Sequence, residues 1–131
     1  MFTKQQIDAE VLNVLMNAAK GKDPASRPKA LSAYQIAGSM EPVMADHLIS
    51  QGGIGGAKGG PPAGRKTLTQ EVQHSARRLE DRGLVRHFYM DTRDLSFEVR
   101  GQNVRPSFPV MGVYQYAGPT TATPSPSAAA P

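Results

Sequence analysis

Apolar residues recur every three or four positions in two long segments, and this spacing predicts two amphipathic helices. The first covers residues 4–20 and the second covers residues 68–82. Gly83 follows the second segment, where a residue with left-handed backbone commonly ends a helix. The two apolar stripes consist of Ile7, Val11, Val14, Leu15 and Ala18, and of Leu68, Val72, Ala76 and Leu79.

Two shorter helices are predicted between them from their start signals. Ser32 and Gln35 have the spacing of a capping box, in which each side chain bonds to the other residue's backbone, and a helix over 33–39 should follow. Pro42 suits the first position of a third helix, which should run to about Ser50. The long helices have similar starts, with Thr3 and Gln6 for the first and Thr67 or Thr69 for the second.

Beyond Gly83 the apolar period changes from about 3.6 to two, which predicts strands. We expect a hairpin of residues 84–90 and 95–100, joined by a turn at 91–94 that carries Arg93 at its tip. A third strand is expected within Val110–Tyr116. The predicted fold class is therefore α+β, mainly α.

Glycine and proline set the remaining boundaries. Residues 52–64 hold seven of the 13 glycines and should form a flexible loop rather than a regular element. Residues 118–131 contain only Gly, Pro, Thr, Ala and Ser, so we expect a disordered tail behind a single domain at 1–117. No apolar run is long enough for a membrane span, and no secretory segment follows Met1, so a cytoplasmic protein is expected.

The charge distribution changes the picture, because the net charge of +4 arises in one stretch. Residues 58–105 hold ten of the 15 Lys and Arg residues and six of the 11 Asp and Glu residues, whereas residues 1–57 are balanced. A basic stretch of this kind is typical of a surface that meets a polyanion. A basic surface without a partner is the alternative.

Other functional classes find little support in the sequence. There is no cysteine, which excludes a disulfide scaffold and thiolate metal sites. The three histidines lie on three different elements, so no metal site is expected. Residues 59–67 (GGPPAGRKT) are a near miss to a phosphate-binding loop, since Arg65 separates the last glycine from Lys66. No nucleophile with its base is present, and we expect neither an enzyme nor a cofactor.

Residues 76–86 (ARRLEDRGLVR), followed by the tip Asp91-Thr92-Arg93-Asp94, resemble the winged helix–turn–helix family, most closely its MarR-type and related bacterial regulators. The resemblance covers roughly residues 31–100, with residues 32–37 similar to the scaffold helix. It implies a two- or three-stranded antiparallel wing sheet and sequence-specific binding of double-stranded DNA by a transcriptional regulator such as a repressor. In the family the scaffold and recognition helices are a short turn apart, whereas here about 28 residues, from Ser39 to Lys66, intervene.

Residue chemistry supports the same site without the family. Four polar residues of the 68–82 helix share one face by their spacing, and Gln and Arg side chains can read adenine and guanine in a major groove. We expect Thr69, Gln70, Gln73 and His74 at base edges with Arg77 beside them. Phosphate contacts are expected from Arg65, Lys66, Arg78 and Arg86, and a minor-groove or backbone contact from Arg93 at the wing tip.

Two readings stay open beside sequence-specific DNA binding. The polar helix face can be ordinary solvated surface, or the fold can serve as a protein–protein assembly module without direct DNA readout. A homodimer is possible in either case, through the 4–20 helix or the Val110–Tyr116 segment. A DNA-binding protein of this kind would be associated with the nucleoid.

Overall fold

Four helices lie in the part of the chain that the computed structural model describes, which comprises residues 2–20, 30–55, 65–106 and 109–117. They are α1 (Lys4–Lys20), α2 (Ala33–Ser39), α3 (Pro42–Gly52) and α4 (Leu68–Asp81). All four predicted helices are confirmed, with ends that differ by at most two residues from those expected. None of the described helices is long and apolar enough to cross a membrane.

Reciprocal side-chain caps determine where three of these helices begin. In each, a hydroxyl accepts a hydrogen bond from a backbone N–H three residues on, and the glutamine there accepts one in return. The pairs are Thr3 with Gln6, Ser32 with Gln35, and Thr67 with Gln70. At α3, the Glu41 carboxylate accepts from the N–H groups of Val43 and Met44.

The end of α4 has the geometry that Gly83 predicts. Gly83 has a φ of +78°, the left-handed conformation that glycine adopts without steric cost. The N–H of Leu84 donates to the carbonyl of Leu79 at 3.0 Å, and the N–H of Gly83 donates to that of Glu80 at 2.9 Å. This Schellman ending turns the chain directly into the next strand.

Five strands complete an α+β fold in the described residues: β1 (Leu31–Ser32), β2 (Val85–Asp91), β3 (Phe97–Val99), β4 (Gln102–Val104) and β5 (Val110–Tyr116). An antiparallel sheet has the order β1–β5–β2, so the third predicted strand is confirmed and lies at its centre. The core lies between this sheet and helices α1, α2 and α4. Its fully buried large side chains include Val11, Leu15, Ile36, Leu68, Val72 and Leu79.

The predicted pairing of 84–90 with 95–100 is wrong. β2 pairs over its whole length with β5, from Val85 opposite Tyr116 to Asp91 opposite Val110. Residues 97–99 pair instead with β4 through a tight turn in which Arg100 and Gly101 have φ values of 51° and 84°. Positive φ at both central residues is the type I′ geometry that closes a two-residue hairpin. A seven-residue ladder with β5 thus replaces the short local one.

Residues 92–106 and 109, which follow β2 and precede β5, run back along the helices. The rings of Phe97 and Tyr34 stack with centroids 5.5 Å apart, and Val99 is fully buried. A Cβ at Gly38 would lie 3.1 Å from the carbonyl oxygen of Glu98, so α2 approaches β3 closely where it lacks a side chain. This segment, called the β2–β5 connection below, therefore packs on α2 rather than projecting as a simple loop.

Candidate nucleic-acid interface

The start of α4 is fixed by the first residues of the glycine-rich segment. The N–H groups of Leu68 and Thr69 donate to the carbonyls of Gly53 and Ile54 at 2.8 and 3.1 Å. Ile54 is itself buried. The predicted flexible loop covered residues 52–64. Residue 52 is the last residue of α3, and residues 53–55 contact the start of α4. Residues 56–64 lie outside the described part of the chain. The first turn of α4 is consequently a fixed position on the surface.

Thr69 does not belong to the exposed face, contrary to the sequence prediction. Its side chain is buried, and its hydroxyl donates to the carbonyl of Ile54 at 2.9 Å. The reason is helical geometry, since Thr69 lies three residues before Val72 and seven before Ala76 and so shares their buried side. Thr69 therefore positions the helix and cannot reach a base edge.

The other four residues of the predicted reading face lie together on α4. Gln70, His74 and Arg77 are exposed, and Gln73 is half-buried beside them. Gln70 accepts the Thr67 N–H at 3.0 Å through its side-chain oxygen, which orients its amide nitrogen as a donor. In the described residues, Arg77 has no ion pair. The face thus presents amide, imidazole and guanidinium groups along about two turns of helix.

The electrostatic environment of this face is cationic. Partial burial and the nearby charge of Lys66 lower the pKa of His74, with Arg78 and Arg77 acting in the same direction and Glu71 against it. These effects favour the neutral imidazole, which offers one donor and one acceptor. Arg65 and Lys66 are exposed just before the helix, and Arg65 makes long contacts of 3.3 and 3.4 Å to Gln51.

Arg78, expected at a phosphate, is bound within the protein instead. Its guanidinium donates to both carboxylate oxygens of Asp8 on α1, at 2.7 to 3.1 Å, and the Ser75 hydroxyl donates to the same carboxylate at 2.6 Å. Burial alone would raise the pKa of Asp8, but the hydrogen bonds from Arg78 and Ser75 outweigh it and hold that pKa below its usual value. Arg78 therefore joins α4 to α1 and leaves the candidate site.

Where α4 meets the sheet, aromatic rings lie against the helix. The ring of His87 stacks on Tyr114 with centroids 5.0 Å apart and lies 4.7 Å from the ring of Tyr89. His87 Nδ1 is 4.0 Å from a carboxylate oxygen of Glu80. A Cβ at Gly112 would collide with the imidazole, so glycine leaves the space that the ring occupies. The junction thus consists of His87 stacked on the buried Tyr114, with the largely exposed Tyr89 at its rim.

The two remaining arginines are separated from that face. Arg86 is exposed but alternates with His87, so it lies on the sheet face opposite the aromatic cluster. Arg93 lies two residues beyond the end of β2, at the end of the strand that is farther from α4 along the chain. It is not the tip of a β2 hairpin, because β2 pairs with β5, and its guanidinium donates to both oxygens of Asp91 at 2.6 to 3.1 Å.

Helix α3 lies between α2 and α4, the two helices that the sequence resemblance equates with the scaffold and recognition helices. Only Met40 and Glu41 separate it from α2, so by spacing it is also placed as the second helix of a helix–turn–helix. It carries no Lys or Arg, however, and Asp46 on its exposed side pairs with Arg100 at 3.0 Å. A helix without basic side chains offers no cation to a phosphate, so α4 remains the better candidate of the two.

Three features of the site region could not be derived from the sequence pattern. The Arg78–Asp8 pair joins residues 70 positions apart, and the Arg100–Asp46 pair joins residues 54 apart. The space at Gly112 for the His87 ring exists only once β2 and β5 are in register. For the β3–β4 hairpin a signal was present: Gly101 lies in a short polar stretch between Val99 and Val104, as a turn residue does.

Comparison with known proteins adds no assignment, since no family model, curated protein or solved structure matches the chain. Within the described residues, no three His, Asp or Glu side chains lie together as a metal site would require. The functional interpretation accordingly rests on the residues and geometry described above.

Proposed function

We propose that this chain is a winged helix–turn–helix protein that binds double-stranded DNA in a sequence-specific manner, as a transcriptional regulator does. Helix α4 enters the major groove, with Gln70, Gln73, His74 and Arg77 toward the base edges. Arg65 and Lys66 meet phosphates where the helix begins. The single observation that carries this proposal is that these four side chains lie on one face of α4 and that Arg77 has no carboxylate partner in the described residues.

The surrounding fold supports the same role. An antiparallel ladder begins three residues after α4 ends, as a wing follows a recognition helix, and α1 and α2 both pack against α4. The cap, the Ile54 contact and the Asp8–Arg78 pair hold the helix so that its outer face is pre-organised. We infer that Arg86 and Arg93, on the ladder and at its end, make backbone or minor-groove contacts outside the α4 face.

The direct test is selection from a randomised duplex pool, followed by titration of the selected site at four salt concentrations. Phosphate contacts release counterions, so log K should fall by about 0.9 per log unit of salt for each phosphate neutralised. With Arg65, Lys66 and Arg86 as the unpaired phosphate candidates, a slope of roughly 3 per monomer is expected. Enrichment of one motif together with that slope is the expected result.

A different outcome would support the assembly module in place of a DNA reader. Exposed ion pairs between proteins are few and screened, so a protein partner bound through α4 would give a shallow salt dependence. Absence of duplex binding at low salt, or binding with no enriched sequence, contradicts the proposal.

A further inference from the structure

We propose that two copies of this chain associate by antiparallel pairing of their β2 strands, which makes one continuous sheet across a two-fold axis. The interface is formed by the outer edge of β2, with Tyr89 opposite Tyr89 of the second copy. The sequence pointed instead to α1 or to Val110–Tyr116 as dimer surfaces. The second of these lies at the centre of the sheet, with β2 along one side and β1 on the other, so it does not offer a free edge.

The backbone of β2 alternates between the sheet and the open edge. The N–H of Ala117 donates to the carbonyl of Leu84 at 2.8 Å, and the N–H of Thr92 donates to that of Pro109 at 2.7 Å. These two pairs bracket the β2–β5 ladder, and bonded pairs in an antiparallel ladder recur at every second residue. The even-numbered residues of β2 therefore face β5, and the N–H and C=O groups of His87, Tyr89 and Asp91 point away from it.

No described residue accepts or donates at those outward groups. An unpaired edge strand is a template for another strand, and proteins commonly protect such edges with Lys, Pro, a bulge or a covering segment. Residues 87–90 (HFYM) have no lysine, proline or formal charge other than a protonatable histidine. The register with β5 is continuous and unbulged. Phe88 and Tyr89 are 46% and 72% exposed, which leaves two aromatic side chains unprotected on a bare edge.

A second copy is the occupant that fits this edge. In antiparallel pairing about a two-fold axis, each outward N–H of one copy meets an outward carbonyl of the other copy. The strand is therefore complementary to itself. Segments of the same chain are less suitable partners for this edge. Residues 21–29, 56–64 and 118–131, which lie outside the described part of the chain, each contain at least two prolines. Proline has no N–H to donate to a ladder.

Several registers pair the outward groups of one copy with those of the other, and the side chains favour the one centred on Tyr89. Centring the axis on Tyr89 places the two tyrosine rings side by side, Phe88 opposite Met90, and Asp91 opposite the nitrogen-bearing ring of His87. Centring it on Phe88 places the Asp91 carboxylate opposite Val85, which is a buried apolar side chain. Aromatic and apolar cross-strand pairs stabilise a ladder, whereas a carboxylate beside a buried valine does not.

Disulfide trapping tests this geometry directly, because the chain has no cysteine of its own. Residues directly opposite in a ladder have Cα atoms roughly 4.5–5.5 Å apart, within the range that a disulfide spans. Under mild oxidation without DNA, Tyr89→Cys should form a covalent dimer rapidly. Val110→Cys is the matched control, since Val110 is 51% exposed beside β2 but lies on β5. It should form no covalent dimer.

Light scattering after size exclusion tests the same interface without a new bond. The unmodified chain should show twice the monomer mass, and Tyr89→Lys should show the monomer mass, because two ammonium groups would lie opposite each other. Circular dichroism of Tyr89→Lys should match that of the parent, since this side chain is already exposed.

The outcomes separate the possibilities without reference to DNA binding. A monomeric parent, or a dimer that Tyr89→Lys leaves intact, overturns the proposal. Faster trapping of Phe88→Cys than of Tyr89→Cys overturns the Tyr89-centred register. Equal rates of disulfide formation in Tyr89→Cys and Val110→Cys would indicate random collision and would likewise overturn the proposal.

Discussion

Arginines on α4 and on the β2–β5 connection contribute similar formal charge, but they differ in what surrounds them. On the connection, Arg93 is paired with Asp91 and Arg100 with Asp46, while Arg105 is exposed and has no carboxylate partner in the described residues. On α4, Arg78 is paired with Asp8, whereas Arg77 on the outer face has no carboxylate partner in the described residues. The excess of basic residues in the sequence therefore indicates only roughly where a polyanion could bind. The ion pairs formed in the fold determine which of these cations remain available to it.

The largest effect should come from removing the unpaired arginine of α4. Arg77→Ala should weaken binding to a selected duplex by about tenfold to a hundredfold, equivalent to roughly 1–3 kcal/mol for a base-reading arginine. Arg105→Ala removes the same charge from an exposed position on the β2–β5 connection and should change affinity less than about twofold. Equal losses in the two variants would mean that only overall charge matters, and the distinction between the two regions would fail.

A second test concerns stability and the paired arginine of α4. Asp8→Ala leaves the half-buried Arg78 and the buried Ser75 without their acceptor, so the free energy of unfolding in urea should fall by about 1–3 kcal/mol. Asp46→Ala breaks the exposed pair with Arg100 and should produce no measurable change, because exposed ion pairs contribute little. A comparable loss from both would show that the two arginines are equally well anchored.

The pH dependence of stability should separate the same pairs. The pKa of Asp8 in the folded chain lies below its ordinary value of 3.8, so its contribution is complete above that value and is lost as the pH falls through the folded pKa. The stability difference between the parent and Asp8→Asn should therefore shrink below about pH 4. Asp46→Asn serves as the control, since its carboxyl pKa is also lowered, by the Arg100 hydrogen bond, but on an exposed surface.

The smallest effect is expected at the end of β2. Arg93→Ala should reduce affinity by less than about threefold without altering the preferred sequence, because Asp91 already holds its guanidinium and backbone contacts carry no base information. Asp91→Ala should release the arginine and steepen the salt dependence by at most about 0.9, the value of one phosphate. A changed consensus in either variant would place Arg93 among the base-reading residues.

Local signals made the helices predictable. Capping pairs, a proline at a first turn and Gly83 each act within a few residues, and they located every described helix to within two residues. The face formed by Gln70, Gln73, His74 and Arg77 was predictable for the same reason, since helical spacing alone brings these side chains together.

Contacts between distant segments were not predictable in this way. Residues 95–100 alternate apolar and polar side chains and lie closer to β2 in the sequence, which favours pairing them with β2, although the longer ladder lies with β5. Arg78 and Arg77 are adjacent and chemically identical in the sequence. Only the packing of α1 on α4, which brings Asp8 within 3 Å of Arg78, distinguishes them. Thr69 is a different case, because its spacing from Val72 and Ala76 already places it on the buried side of α4.

The central position of β5 has a consequence for how the chain acquires its structure during synthesis. Leu31 in β1 and every residue of β2 find their ladder partners in residues 110–116, so neither strand can be completed before that segment leaves the ribosome. The helices can associate earlier, because their caps are local and domains assemble progressively from the N-terminal side. Until β5 has been synthesised, both edges of the aromatic strand β2 are unpaired. A nascent chain stalled before residue 110 would therefore expose an aggregation-prone strand to which chaperones can bind.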